Sequence, residues 1–120
     1  MSATTPRVWV LTWEDRAYVD GPDGGHLWLD TPAWVAWLDA ATTTRFAYPL
    51  FDPAKGYIIG VMTVRKERRA RGGAYWTAYR RDKGKVRKVY LGGVAALTHA
   101  RLAAIARVLR DADNMRGTVR

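Results

Sequence analysis

Residues 74–92 read AYWTAYRRDKGKVRKVYLG, and the fold turns on how this stretch pairs with itself. Two β-prone runs, Ala74–Arg81 and Val86–Leu91, flank Asp82-Lys83-Gly84-Lys85. Lys83-Gly84 suits the corner, because glycine accepts the positive φ that a primed or bulged hairpin turn requires. Setting Asp82 against Lys85 puts Arg81 opposite Val86, Tyr79 opposite Lys88 and Thr77 opposite Tyr90. Strand side chains alternate between faces, so the hairpin acquires two different surfaces. One carries Trp76, Ala78, Val89 and Leu91, with Arg80 and Arg87 near the tip, and reads as a core face. The other carries Tyr75, Thr77, Tyr79, Arg81, Lys88 and Tyr90. It is aromatic and cationic together.

Upstream, Tyr57–Arg69 is a long extended run, apolar first (YIIGVMTV) and basic after (RKERR), with Ala70-Arg71-Gly72-Gly73 as its loop into the hairpin. With Arg69 opposite Ala74, Met62, Val64, Lys66 and Arg68 join the tyrosine face, and Thr63, Arg65 and Glu67 the tryptophan face. A slip of one residue reverses that assignment. Downstream, Thr98 suits a helix N-cap, and Leu97 with Leu102 have the spacing of a hydrophobic staple. Leu102, Ile105, Ala106 and Leu109 then form an apolar stripe, with Arg101, Arg107 and Arg110 mostly outside it. Three strands followed by a helix, over residues 61–112, define a βββα unit whose helix covers the tryptophan face.

The first half reads as further strands and one helix. Arg7–Trp13, Ala17–Asp20 and His26–Leu29 are strand-like, with a turn at Asp20–Gly25. Thr31 is a candidate N-cap and Pro32 fits the first helical position. Trp34, Trp37, Leu38 and Ala41 fall on one helical stripe, which Thr42–Thr44 ends. Arg45–Phe51 is a strand interrupted by Pro49 and so suited to a sheet edge. Asp52–Gly56 is a turn. The fold class is α+β, an antiparallel sheet with an additional N-terminal strand-helix part, in one domain over residues 1–114. Residues 115–120 read as a flexible tail.

The 120 residues carry a net charge of +9, unevenly placed. Residues 1–60 hold four Lys or Arg against seven acids, a net −3; residues 61–120 hold sixteen against four, a net +12. Such a half favours polyanionic partners, unless the cations only keep an aromatic-rich surface in solution. Cysteine is absent, which excludes a disulfide scaffold and thiolate chemistry and is compatible with the cytoplasm. No run approaches the roughly 20 apolar residues of a membrane span, and MSATTPR lacks a signal-peptide core. His26 and His99 have no carboxylate or second histidine at ligand spacing, so no metal, cofactor or catalytic group is expected. The cluster Glu14, Asp15, Asp20 and Asp23 reads as a solvated loop. No phosphate loop, dinucleotide fingerprint or nucleophile elbow occurs.

Residues 65–109, RKERRARGGAYWTAYRRDKGKVRKVYLGGVAALTHARLAAIARVL, resemble a segment near the N-terminus of large LuxR/MalT-type bacterial transcriptional regulators. There the YW-x-AYRR run, the KxYLG run and an LT-led helix recur, matched here by Tyr75–Arg81, Lys88–Gly92 and Leu97–Leu102. VWVLTWEDRAYVD, PAWVAWLDA and RFAYPLFD extend the resemblance over most of the chain, which nevertheless lacks an ATPase or helix-turn-helix part. The order of three strands then a helix is also similar to the arm-binding domains of phage integrases and to plant AP2 domains, which apply the sheet to DNA. The basic second half and the aromatic-cationic sheet face, which can enter a major groove, together with this resemblance lead to the expectation of a DNA-binding module of a transcription regulator. Its contact residues would be Lys66, Arg68, Tyr75, Thr77, Tyr79, Arg81, Lys88 and Tyr90, with Arg71 in the loop. Two alternatives stay open: the N-terminal strands and the Trp34/Trp37 helix cover the tyrosine face, or the domain docks a protein partner or senses a signal.

Overall fold

Ten elements arise in the order the hydrophobic patterning requires. A computed structural model describes residues 5–11, 13–21 and 23–111. Strands β1 (Val8–Leu11), β2 (Arg16–Asp20) and β3 (His26–Trp28) precede helix α1 (Pro32–Asp39). Strands β4 (Arg45–Asp52), β5 (Tyr57–Arg68), β6 (Ala74–Asp82) and β7 (Lys85–Gly92) follow, then a 3₁₀ turn at Val94–Ala96 and helix α2 (His99–Arg110). The tail expected at 115–120 lies outside the described residues. Among the described residues no helix is long and apolar enough to cross a membrane.

The strands form two antiparallel sheets, β1-β2-β3 and β4-β5-β6-β7. The second therefore has four strands where the sequence suggested three. Its fourth, β4, pairs along β5 from Arg45↔Arg65 to Asp52↔Tyr57 and is an edge, as Pro49 requires. The amide of Ala47 on that edge donates to the Pro6 carbonyl at 2.8 Å, linking the N-terminal segment to the sheet.

All covering elements lie on one face of the four-stranded sheet. Phe46, Tyr48, Leu50, Met62, Val64, Trp76, Ala78 and Leu91 point into a single core. Above them sit Val8, Ala17 and Val19 from the first sheet, Trp34 and Leu38 from α1, and Leu102, Ala106 and Leu109 from α2. Aromatic rings run through it: Trp34 meets Phe46 edge-on at 5.4 Å, and Phe46 meets Trp76 at 5.7 Å.

Polar contacts fix the covering helices. Thr31 Oγ1 accepts from the Trp34 amide at 3.2 Å, and Thr98 Oγ1 from the Arg101 amide at 3.1 Å, so both predicted N-caps form. The α1 stripe ends sooner than its spacing suggests: Ala40 caps the helix and Ala41 lies beyond it. Trp34 Nε1–H donates to the Leu97 carbonyl at 2.7 Å, joining α1 to the start of α2. At the other end of α2, Arg80 Nη1 donates to the carbonyls of Leu109 and Arg110 at 2.7 and 3.2 Å. These last-turn carbonyls have no helical partner, and a guanidinium also suits the negative end of the helix dipole.

Candidate nucleic-acid interface

The β6–β7 register is the one the sequence predicts: Asp82↔Lys85, Arg81↔Val86, Tyr79↔Lys88 and Thr77↔Tyr90. Lys83 and Gly84 form the corner with φ of +51° and +80°, the two positive values of a type I′ turn. Tyr75, Thr77, Tyr79, Arg81, Lys88 and Tyr90 therefore share one face. Among the described residues nothing covers that face: the first sheet and both helices pack on the other side. Tyr90 is 56% exposed, Arg81 and Lys88 are exposed, and Tyr75 and Tyr79 are half-buried.

Two of the predicted site residues lie elsewhere. Arg68, not Arg69, stands opposite Ala74, and Lys66 opposite Trp76. The cause is loop length. The Gly72 amide donates to the Arg69 carbonyl at 3.1 Å, and the Arg69 amide to the Gly73 carbonyl at 3.2 Å. The loop thus has three residues, Ala70-Arg71-Gly72, rather than four, with Gly72 at φ +93°. This is a three-residue hairpin loop closed by a left-handed glycine, and its odd length inverts the parity of β5. Lys66 moves to the core side, where its Nζ donates to the Ala40 carbonyl at 3.0 Å and lies 5.4 Å from the Trp76 ring. Arg68 shares that side at the strand end. Arg71 is exposed in the loop, as expected.

The same inversion brings Thr63, Arg65 and Glu67 onto the tyrosine face, with Arg45 beside Arg65 on β4. Arg69 joins them. Its Nη2 donates to the Tyr90 hydroxyl at 2.9 Å, and its guanidinium sits 4.9 Å from the Tyr75 ring centre. Tyr75 and Tyr90 are 5.5 Å apart across the strands. Arg65 lies 5.3 Å from the Tyr79 ring, and the Tyr79 hydroxyl donates to Glu67 Oε1. That hydrogen bond, above all, raises the Tyr79 pKa over its ordinary value. Thr77, only 5% exposed, floors a shallow depression ringed by Glu67, Tyr75, Tyr79, Lys88 and Tyr90.

The assembled face presents five cations, Arg45, Arg65, Arg69, Arg81 and Lys88, against one acid, Glu67. Its tyrosines are held at fixed positions by flanking guanidinium groups. Arg65, Arg69, Arg45 and Glu67 escaped the sequence reading because their face depends on loop parity, which composition does not encode.

A second polar constellation lies on the core side, at the mouth between β1, β4 and α2. His99, at the first position of α2, is buried, with Nδ1 3.4 Å from the Tyr48 hydroxyl and Nε2 3.5 Å from Asp15 Oδ1. Its amide donates to Asp30 Oδ1 at 2.9 Å. Folding thus supplies the carboxylate neighbours that sequence spacing withheld. Burial pushes the Tyr48 hydroxyl well above the ordinary tyrosine range, so it stays protonated.

The chain matches no protein-family model, and no curated protein or solved structure is significantly similar to it.

Proposed function

We propose that this chain is a DNA-binding module of a bacterial transcription regulator, which applies the tyrosine face of its four-stranded sheet to duplex DNA. The observation that carries the reading is that one face of the sheet is left open and gathers five cations and three tyrosines around a single acid. Arginine and lysine neutralise phosphates, while tyrosine and threonine hydroxyls donate to phosphate or meet base edges. Strands β5, β6 and β7 span about 10 Å between their outer axes. That fits the B-DNA major groove, about 12 Å wide, and leaves Arg45 on β4 to meet the flanking backbone. Arg81 near the hairpin tip can reach guanine O6 and N7 with two parallel hydrogen bonds, a geometry open to arginine and not to lysine. Arg71, exposed in the adjacent loop, is placed for a phosphate.

Binding to duplex DNA, duplex RNA and heparin, each titrated over a range of salt, tests this. With about five phosphates neutralised, the log–log slope on DNA should be roughly −4 to −5. Duplex RNA should bind more weakly at equal salt, because its major groove is deep and narrow. Arg65→Ala and Lys88→Ala should weaken binding on all sequences and reduce the slope by about one each. Arg81→Ala should also relax base preference, costing about 1–3 kcal/mol on a selected site. Lys66→Ala should leave binding unchanged, since Lys66 belongs to the other face. Binding that ignores salt, or variants that bind DNA as the parent does while folded, would overturn the proposal. Val61 and Val86, 41% and 53% exposed on the same face, favour docking of a protein partner as the second reading.

A further inference from the structure

We infer that the recess between β1, the end of β4 and α2 is a binding site for a small organic monoanion with an aromatic or compact apolar body, an aromatic carboxylate being the ligand class that fits. The recess encloses about 400 Å³, within the range of small-molecule sites. It is separate from the tyrosine face, on the opposite side of the sheet.

Its shape follows from one face of α2. His99, Ala103, Ala106, Arg107 and Arg110 recur at helical spacing along that face, and the two alanines leave unfilled the space that larger side chains would occupy. Val8, Val10, Phe51 and Ile58 complete an apolar wall. A ring system entering here replaces water against hydrocarbon, the usual source of affinity in such a pocket.

The charges around the wall select an anion. Arg110 is already neutralised: its Nε and Nη2 hold Asp111 at 2.8 and 2.9 Å, and its Nη1 donates to the Phe51 carbonyl at 3.0 Å. Asp15 is turned to His99 Nε2. The Arg107 guanidinium lies exposed at the rim, and its side chain forms no ion pair or hydrogen bond among the described residues. Arg7 stacks on Trp9 at 4.9 Å, and its Nε is the one buried side-chain polar atom without a hydrogen-bond partner among them. Two guanidinium groups free of any carboxylate, those of Arg7 and Arg107, line the recess against the single carboxylate of Asp15, a balance suited to one negative charge.

Titrating the full chain with 2-naphthoate and with neutral 2-naphthamide, followed by amide and histidine-ring NMR, tests the inference in the absence of DNA. Naphthoate should bind at least tenfold tighter than the amide, shift the His99 ring resonances and raise the melting temperature. Arg107→Gln should cut its affinity about tenfold, and Ala103→Leu should abolish binding by filling the recess, both with an unchanged fold. Arg81→Ala, on the other face, should bind naphthoate as the parent does. Equal binding of acid and amide, shifts confined to the tyrosine face, or retained affinity in Ala103→Leu would each overturn the site. None of these outcomes bears on DNA binding, so the two proposals fail independently.

Discussion

Glu67 is the single acid in a field of cations, and Tyr79 holds it there. The hydroxyl donates to the carboxylate, and that bond favours the protonated phenol, raising the Tyr79 pKa in the folded state above its unfolded value. A group with a raised folded pKa contributes stability in full below its unfolded pKa, about 10 for tyrosine, and loses it as pH rises through the folded value. The pair is only half-buried, so solvent screens it, its contribution is small and its effect on the charge of the face matters more. Glu67→Gln should return the Tyr79 titration toward the ordinary tyrosine value, measured by NMR or phenolate absorbance. It should also strengthen DNA binding several-fold, because a negative charge facing the phosphates is removed. An unchanged Tyr79 titration in Glu67→Gln would show that the hydrogen bond is not what sets it.

At the scale of elements, most boundaries were legible because each has a local chemical cause. Thr31-Pro32 and Thr98 start the helices, Asp52–Gly56 turns the chain, and Lys83-Gly84 fixes the β6–β7 register through its two positive φ values. The register of β5 against β6 was not legible. Ala70-Arg71-Gly72-Gly73 supports loops of three or four residues, because both glycines accept left-handed conformations, and both are used: φ is +93° at Gly72 and +77° at Gly73. One residue of difference exchanged Lys66 and Arg68 for Arg65 and Glu67 on the tyrosine face. A substitution at the decisive residue measures how firmly the turn is set. No atom lies within 4 Å of a Cβ at Gly72, so only backbone strain opposes alanine there. Gly72→Ala should cost about 1–2 kcal/mol in denaturant unfolding. Gly60→Ala, equally open but without positive φ, should be neutral or mildly stabilising. Equal stability of the two variants would exclude the left-handed turn.

Over the whole molecule, which face of the large sheet is covered decides everything about function, and the sequence left that open because both faces are aromatic. Tyr75, Tyr79 and Tyr90 have the bulk of core residues, and Trp34 and Trp37 could have packed on either side. What settles the matter is the chain of cross-half contacts on the tryptophan side: Phe46 between Trp34 and Trp76, and Trp34 Nε1 on the Leu97 carbonyl. The N-terminal half is thus a back plate that leaves the tyrosine face to solvent. It is also half of the core: of the eighteen buried core side chains among the described residues, nine, from Val8 to Leu50, precede β5. Burying one large apolar side chain contributes about 1.5–3 kcal/mol, while a domain of this size is stable by about 5–15 kcal/mol in total. Leaving out the small Ala17, the other eight remove roughly 12–24 kcal/mol of burial, which is comparable to or larger than that whole margin. Residues 57–111, although they contain three strands, α2 and four of the five cations of the face, should therefore not fold alone. Circular dichroism should show no cooperative melt for that fragment, its amide spectrum should be collapsed, and any DNA binding should be weak and indifferent to sequence. A sigmoidal melt with dispersed amides would mean that the three strands and helix are self-sufficient and that the N-terminal half is an addition to them.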